Sequence, residues 1–352
     1  MTPDRITLAQ FLRDPVQKAD GAIAALMLQV AESVKSLAGL IADGDLADVT
    51  GKLESCNVQG ETQMKLDVVS NELFIDGFRR CGLVQGIVSE ELDAPLLLAA
   101  SPQQSPFLVV FDPLDGSSNV AVNVSVGSIF SVLPAPHDHL AAIADYLQPG
   151  SQQLAAGYAL YGPATMLVLT LGHGTHGFTL DSKTGEFMLT HAAMQVPEDT
   201  AEFAINASNE RFWEPPVKRY IAECKAGASD LRAKDFNTRW VASMVADIHR
   251  ILMRGGIYLY PKDSKDMTRS GRLRLMYEVS PMAMLIEQAG GIASTGRVRV
   301  LDIVPDNVHQ RMPVVIGSGN EVLRVERYYR EYDAGHGESE KMPFFSDRSF
   351  YM

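Results

Sequence analysis

The sequence predicts a mixed α/β protein built in layers, and three observations carry that prediction. First, the region 83–189 holds successive β-leaning runs separated by Gly and Pro. Second, amphipathic or apolar stretches of helical length flank it on both sides. Third, the pattern changes near residue 195, after which strands and helices alternate to about residue 332.

Taken in order, residues 19–40 place apolar side chains at helical spacing with few breakers, and predict a first long helix. A polar, Gly-containing connection over 42–62 leads to a second helix over about 65–80. Residues 83–88 read as a strand that runs into Ser89-Glu90-Glu91. After a Pro- and Gln-rich loop over 95–106, the apolar run 107–111 reads as a buried strand that ends on Asp112. Strands are expected at 124–133, 154–161 and 166–171, and a hairpin around Asp181-Ser182-Lys183-Thr184-Gly185. Beyond 195 the expected elements are a strand at 203–206, a helix near 215–226, and a helix over 241–254 with Val241, Met244, Val245, Ile248 and Leu252 on one face. Strands follow at 257–260 and 273–279. Ser280-Pro281 opens a helix that ends at Gly290-Gly291, and a last helix covers about 320–332. The division that results is 1–195, 196–333 and a tail, 334–352.

A chain of 352 residues with 46% hydrophobic and 21% charged residues buries a core without difficulty. No apolar run is expected to span a membrane, and the N-terminal residues lack the apolar centre of a signal peptide. The three cysteines, Cys56, Cys81 and Cys224, form no motif, which fits a reducing compartment and points to the cytoplasm. A net charge of −12 argues against nucleic acid or an anionic membrane as partner. An anionic substrate then needs local positive charge or a bound cation.

The chemistry gathers around Phe111-Asp112-Pro113-Leu114-Asp115-Gly116-Ser117-Ser118-Asn119. Pro113 sets its own φ and pushes Asp112 toward an extended conformation, and Asp115-Gly116 makes a tight turn. Asp112, the Leu114 carbonyl and Asp115 can converge on one hard cation, while Gly116, Ser117 and Ser118 offer N–H groups and hydroxyls to a phosphate beside it. Taken alone, such a segment is an ordinary turn. Other acids make it more: Glu90 and Glu91 end a second strand, Glu278 precedes a helix, and Glu61 and Asp67 flank the start of another. Carboxylates brought together repel unless cations lie between them. All the donors are oxygens, which favours Mg²⁺ or Mn²⁺ over zinc.

Lys262, Lys265, Arg269, Arg272 and Arg274 form a basic stretch suited to phosphate groups. His137-Asp138-His139 and His173-Gly174-Thr175-His176 lack helical i, i+4 spacing and a nearby third ligand. The glycine pairs at 255–256 and 290–291 form neither a dinucleotide fingerprint nor a P-loop.

These residues carry a resemblance. Lys65-Leu66-Asp67-Val68, Val88-Ser89-Glu90-Glu91, Asp112 through Asn119, Ala156 through Gly162, Ser243 through Arg250, Leu259-Tyr260-Pro261 and Leu273 through Glu278 are similar to motifs of class I fructose-1,6-bisphosphatases. That family belongs to the superfamily of metal-dependent sugar and inositol phosphatases, and the likeness runs over about residues 6–333. The resemblance implies a layered αβαβα fold, a homotetramer, and a sugar bisphosphate substrate hydrolysed at its 1-phosphate. It implies Mg²⁺ held by Glu90, Glu91, Asp112, the Leu114 carbonyl, Asp115 and Glu278, with Asp67 and Glu61 acting on the water. The 1-phosphate would lie on Gly116, Ser117, Ser118 and Arg274. Asn206, Tyr260 and Arg272 would hold the distal phosphate and sugar, and Arg239 would reach a neighbouring subunit's site.

This chain departs from the family where Arg272 replaces a Lys, Trp240 a Tyr, and Glu61 an Asp, and where Asn206-Ala207-Ser208-Asn209 replaces an Asn-Glu-Gly segment. A sedoheptulose-1,7-bisphosphatase, or an enzyme taking both sugars, is the alternative. The family's AMP site falls on Asp20, Gly21, Ala22, Ala24, Pro106 and Phe107, which lack its hydroxyl and its cation.

Overall fold

The computed structural model describes residues 5–17, 19–47, 52–56, 62–99, 101–266 and 270–336. Its first half contains α1 (Leu8–Arg13), α2 (Gly21–Asp43), β1 (Lys52–Cys56), β2 (Thr62–Met64), α3 (Lys65–Cys81), β3 (Val84–Ser89), β4 (Leu96–Leu97), β5 (Phe107–Asp115), β6 (Val126–Pro134), α4 (Ile143–Tyr146), β7 (Ala155–Tyr161), β8 (Thr165–Thr170), β9 (Thr175–Asp181) and β10 (Glu186–Met194). The second half contributes β11 (Glu202–Ala204), α5 (Pro215–Ala226), β12 (Asn237–Thr238), α6 (Met244–Arg254), β13 (Ile257–Tyr260), β14 (Leu273–Arg274), α7 (Ser280–Gln288), β15 (Ile292–Ser294), β16 (Arg311–Met312), β17 (Val314–Gly317) and α8 (Gly319–Asp333).

Five layers alternate. Helices α2 and α3 pack on one face of an eight-stranded sheet of order β10-β9-β8-β7-β6-β5-β3-β4. Helices α6 and α7 lie between that sheet and a five-stranded one of order β12-β11-β13-β17-β15, and α5 and α8 cover the far face. Each interface has its own apolar core. Leu26, Phe74, Phe78 and Phe111 fill the first, Ile129, Ile248, Leu285 and Ile316 the second, and Tyr220, Ile257, Val322 and Val325 the third. Every strand pair in the large sheet is antiparallel except β3–β5. That parallel pair brings two acid-bearing strand ends to the same edge.

Helix α2, at 23 residues, is long and apolar enough to cross a membrane, contrary to the expectation from the sequence. Leu26, Met27, Val30, Val34 and Leu37 are buried against α3 and the large sheet, so this apolarity serves a core helix. Strand β5 runs past Asp112 to Asp115 because Pro113 sits in a bulge: Asp112 faces Ile129 and Asp115 faces Gly127. A proline there forfeits no ladder hydrogen bond, and Ser128 Oγ donates to its carbonyl at 2.7 Å. Strand β4 lies within the stretch read as loop.

Three boundaries differ more. The predicted strand 273–279 is a strand only at Leu273–Arg274; Leu275–Val279 is a π-helical turn running into α7. All seven of these residues are buried, so no periodicity separates strand from helix. Helix α6 begins at Met244, not 241, because Ser243 caps it. Strand β11 stops at Ala204, and Asn206 caps a 3₁₀ turn by accepting the Ser208 N–H at 3.3 Å.

Candidate active site

Asp112, Asp115 and Glu278 meet in the interior. One carboxylate oxygen from each lies within 4.8 Å of the others, and all three residues are buried. They arrive from two elements far apart in sequence: Asp112 and Asp115 from either side of the β5 bulge, Glu278 from the π turn before α7. The turn is wide enough for Glu278 Oε2 to accept the Arg274 backbone N–H at 2.6 Å, which aims the carboxylate inward.

The position of Asp115 comes from α6. Its Oδ2 accepts from Ser243 Oγ at 2.8 Å and from the Val245 N–H at 2.9 Å. Asp112 Oδ1 accepts the Leu114 N–H at 2.9 Å, which tightens the bulge. Next comes Gly116 at φ +74°, where an added Cβ would lie 2.8 Å from the Ser243 Cβ. Both the conformation and the space require glycine. The following 3₁₀ turn, Ser117–Val122, starts with Ser117 and Ser118, and Asn119 Nδ2 ties it to the Val241 carbonyl at 3.4 Å.

Burial, followed by the charges of Glu90, Asp115 and Glu278, raises Asp112 well above the usual carboxylate range. Burial also raises Asp115, against the Val245 N–H, the Ser243 hydroxyl and Arg274, which pull it down. Glu278 is pushed up to about 7 by burial, and Arg274 offsets part of that rise. Arg274 Nη2 reaches Glu90 Oε1 at 2.6 Å and its Nη1 lies 3.7 Å from Glu278 Oε2. Arg311 adds a second positive charge toward Glu278, and among the described residues the acids still outnumber the cations, which suits a hard cation with oxygen donors.

The other expected residues fall into three groups. Glu90 and Glu91 follow β3 at the same sheet edge, where Ser89 Oγ accepts the Glu91 N–H and donates to Asn71 Oδ1 at 2.7 Å. Glu90 adjoins Asp112, whereas Glu91 is half-buried outside the converging trio. Asp67 is buried on α3 one turn before Asn71, and its Oδ2 accepts the Met64 N–H at 2.8 Å. Glu61 and Arg269 lie outside the described residues. Finally, Asn206 and Arg239 follow the C-terminal ends of β11 and β12, and Tyr260 ends β13, the three strands being mutually parallel. Parallel pairing thus puts all three at one edge of the small sheet. Arg239 turns back toward Glu202 at 3.7 Å, and Arg272 meets Asp263 at 3.3 Å.

Two supports went unassigned in the sequence. Ser243 orients Asp115, and Asp247, fully buried on α6, accepts the Val241 N–H at 3.2 Å and so holds the loop behind Gly116. Both belong to the stretch from Ser243 through Arg250; the capping serine was the available signal. Trp240 stacks on Tyr258 at 5.6 Å and meets Tyr260 edge-on at 5.9 Å, forming an aromatic wall.

Buried carboxylates beside an anion-ready turn, at the ends of strands in a layered α/β protein, define the class as one that handles an anion with a divalent cation. The comparisons with known proteins narrow this. Residues 6–192 match the family described as Fructose-1-6-bisphosphatase, N-terminal domain, and residues 196–330 its C-terminal domain. The chain is similar to a class 1 fructose-1,6-bisphosphatase of Methylibium petroleiphilum, 53% identical over 334 residues that cover 94% of each chain. It also resembles two crystal structures of Leishmania major fructose-1,6-bisphosphatase. The holo form has a TM-score of 0.87 at 38% identity, covering 93% of this chain and 100% of that one. The apo form has a TM-score of 0.81 at 37% identity, covering 93% and 99%. The chain belongs to the fructose-1,6-bisphosphatase family.

Proposed function

We propose that this chain hydrolyses the 1-phosphate of fructose 1,6-bisphosphate, giving fructose 6-phosphate and phosphate. The observation that carries the proposal is the buried trio Asp112, Asp115 and Glu278 beside the Gly116–Ser118 turn. The relatives in hand are named for the fructose substrate, which disfavours the sedoheptulose alternative.

The donors fit Mg²⁺, with Mn²⁺ as a substitute: Asp112, Asp115, Glu278, Glu90, Glu91 and the Leu114 carbonyl supply oxygens only. When bound, such an ion neutralises the carboxylates, polarises the phosphoryl group and makes water more acidic. The protein does the rest by positioning and charge. N–H groups and hydroxyls of Gly116, Ser117 and Ser118 hold the 1-phosphate, and Arg274 spreads its developing charge. Asp67, anchored by the Met64 N–H, and Glu61 orient the attacking water and take its proton. Asn206, Tyr260 and Arg272 hold the 6-phosphate and sugar, so that the reacting phosphate is presented in line.

Residues 1–195 form the half that carries most of the cation ligands, 196–333 the sugar-phosphate half, and 334–352 a tail. The enzyme is a cytoplasmic homotetramer in which Arg239 leaves Glu202 for a neighbour's pocket. Phosphate release from fructose 1,6-bisphosphate, sedoheptulose 1,7-bisphosphate and inositol phosphates, each with and without Mg²⁺, tests the activity. Equal rates without a divalent cation, or a preference for inositol phosphates, would refute it. Light scattering of an active preparation tests assembly, and an active monomer would exclude the role of Arg239.

A further inference from the structure

A second charged cleft lies on the outermost helical layer, across the small sheet from α6 and α7. It measures about 470 Å³ and sits between one face of α8 and the segments around Asp199 and 232–234. Five cations line it against two acids, in a chain whose net charge is −12.

The acids in this cleft already have partners. Glu321 is buried and takes both contacts of Arg232 Nη2, at 2.5 Å and 2.7 Å, while the guanidinium stacks 4.5 Å from the Phe236 ring. Asp199 accepts from Asn320 Nδ2 at 3.0 Å. The other cations are paired loosely or with neutral groups. Among the described residues Lys234 Nζ has a neutral partner, the Thr200 carbonyl at 3.1 Å. Arg324 donates to the Tyr328 hydroxyl at 3.2 Å and lies 3.9 Å from Glu223 Oε2, a long ion pair, while its shielded Nε–H finds no acceptor among the described residues. Arg327 reaches Glu331 only at 3.6 Å, and Arg330 forms no ion pair among the described residues.

Arg324, Arg327 and Arg330 recur every third residue, so like charges stand next to each other along the helix. Such an array costs energy unless an anion lies among the groups. The volume is that of a small-molecule site, and guanidinium forks match phosphate and carboxylate geometry. We infer that this cleft is a second ligand site, taking a small polyanion with at least two negative charges. It is separate from the catalytic centre, and the chain's overall negative charge disfavours a nucleic-acid occupant.

Calorimetric titration of the intact enzyme with 2-phosphoglycolate, and separately with propane-1,2,3-tricarboxylate, tests this and distinguishes phosphate esters from polycarboxylates. At least one probe should bind saturably at one site per chain in a salt-sensitive manner. Arg327→Glu/Arg330→Glu should weaken that site by at least ~10-fold while leaving kcat and KM on the bisphosphate unchanged. Since only the difference between the two proteins is read, anion binding elsewhere does not enter, nor does the catalytic assignment. The milder Arg330→Gln should give an intermediate loss if the double charge reversal disturbs folding. Absence of binding by both probes, or equal affinity in wild type and Arg330→Gln, overturns the inference.

Discussion

Two of the regions where this molecule buries carboxylates treat them in opposite ways. Glu321, 3% exposed, has Arg232 Nη2 on both oxygens and the Tyr220 hydroxyl at 2.7 Å. The trio Asp112, Asp115 and Glu278, equally buried, shares Arg274 with Glu90. Among the described residues, the first arrangement is matched charge for charge, whereas in the second the acids outnumber Arg274 and Arg311. In the second, burial raises all three acids, neighbouring carboxylates add to the rise at Asp112 and Glu278, and a bound cation would relieve both. A matched buried pair belongs to the fold; an unmatched buried cluster is built for a partner from outside.

The comparison breaks most visibly at the trio. Asp112→Asn or Asp115→Asn should lower kcat by more than ~100-fold while the far-UV spectrum stays native. Loss of repulsion should also raise the melting temperature of the metal-free protein. Near wild-type turnover at saturating Mg²⁺ in either variant would remove these residues from the cation site.

At the matched pair the same kind of change should act on stability instead. Glu321→Ala leaves Arg232 buried without its counter-ion and should cost about 3–5 kcal/mol. Specific activity of the folded fraction should hold. Denaturant unfolding measures the first and an assay below the transition the second; a stability loss under about 1 kcal/mol would mean the pair is not complete as described.

The pH dependence sharpens the contrast. Glu278 has a folded-state pKa of about 7, above its unfolded value. The metal-free fold therefore binds a proton that the unfolded chain releases. Its contribution to stability is fully present below the ordinary carboxylate pKa and is lost as pH rises through about 7. Without metal, the melting temperature of wild type relative to Glu278→Gln should fall by several degrees between pH 4.5 and 8. A difference that stays flat across this window contradicts the assignment.

Asp263 is an intermediate case, a buried acid whose partner Arg272 is partly exposed at 3.3 Å. Arg272→Ala should raise KM for the bisphosphate about 10-fold and leave turnover of a monophosphate nearly unchanged. Equal losses on both substrates would move Arg272 to the reacting end. The smallest effect concerns an exposed acid. Asp20 Oδ1 accepts the Ile23 N–H at 2.8 Å, so a carboxylate occupies the start of α2. Micromolar AMP should not inhibit; inhibition relieved by changing residues 20–24 would refute this.

What the sequence determined by itself was local. The period of burial written along α5 defines it at Pro215–Ala226, and β13 at Ile257–Tyr260 is a short apolar run bounded by Gly255-Gly256 and Pro261. The Asp112-to-Asn119 stretch was legible as a cation and phosphate candidate, since Pro113 and Gly116 constrain the backbone over a few residues. Tertiary structure decided which acids meet. Residues 273–279 are buried throughout and carry no periodicity, so only packing shows the π turn that aims Glu278 at Asp112 and Asp115. Likewise Ser243 reads as a helix cap until α6 docks on the large sheet and brings its hydroxyl to Asp115. The physical reason is range. Burial of one face repeats every few residues, whereas a charge cluster depends on distances between elements that no local pattern encodes.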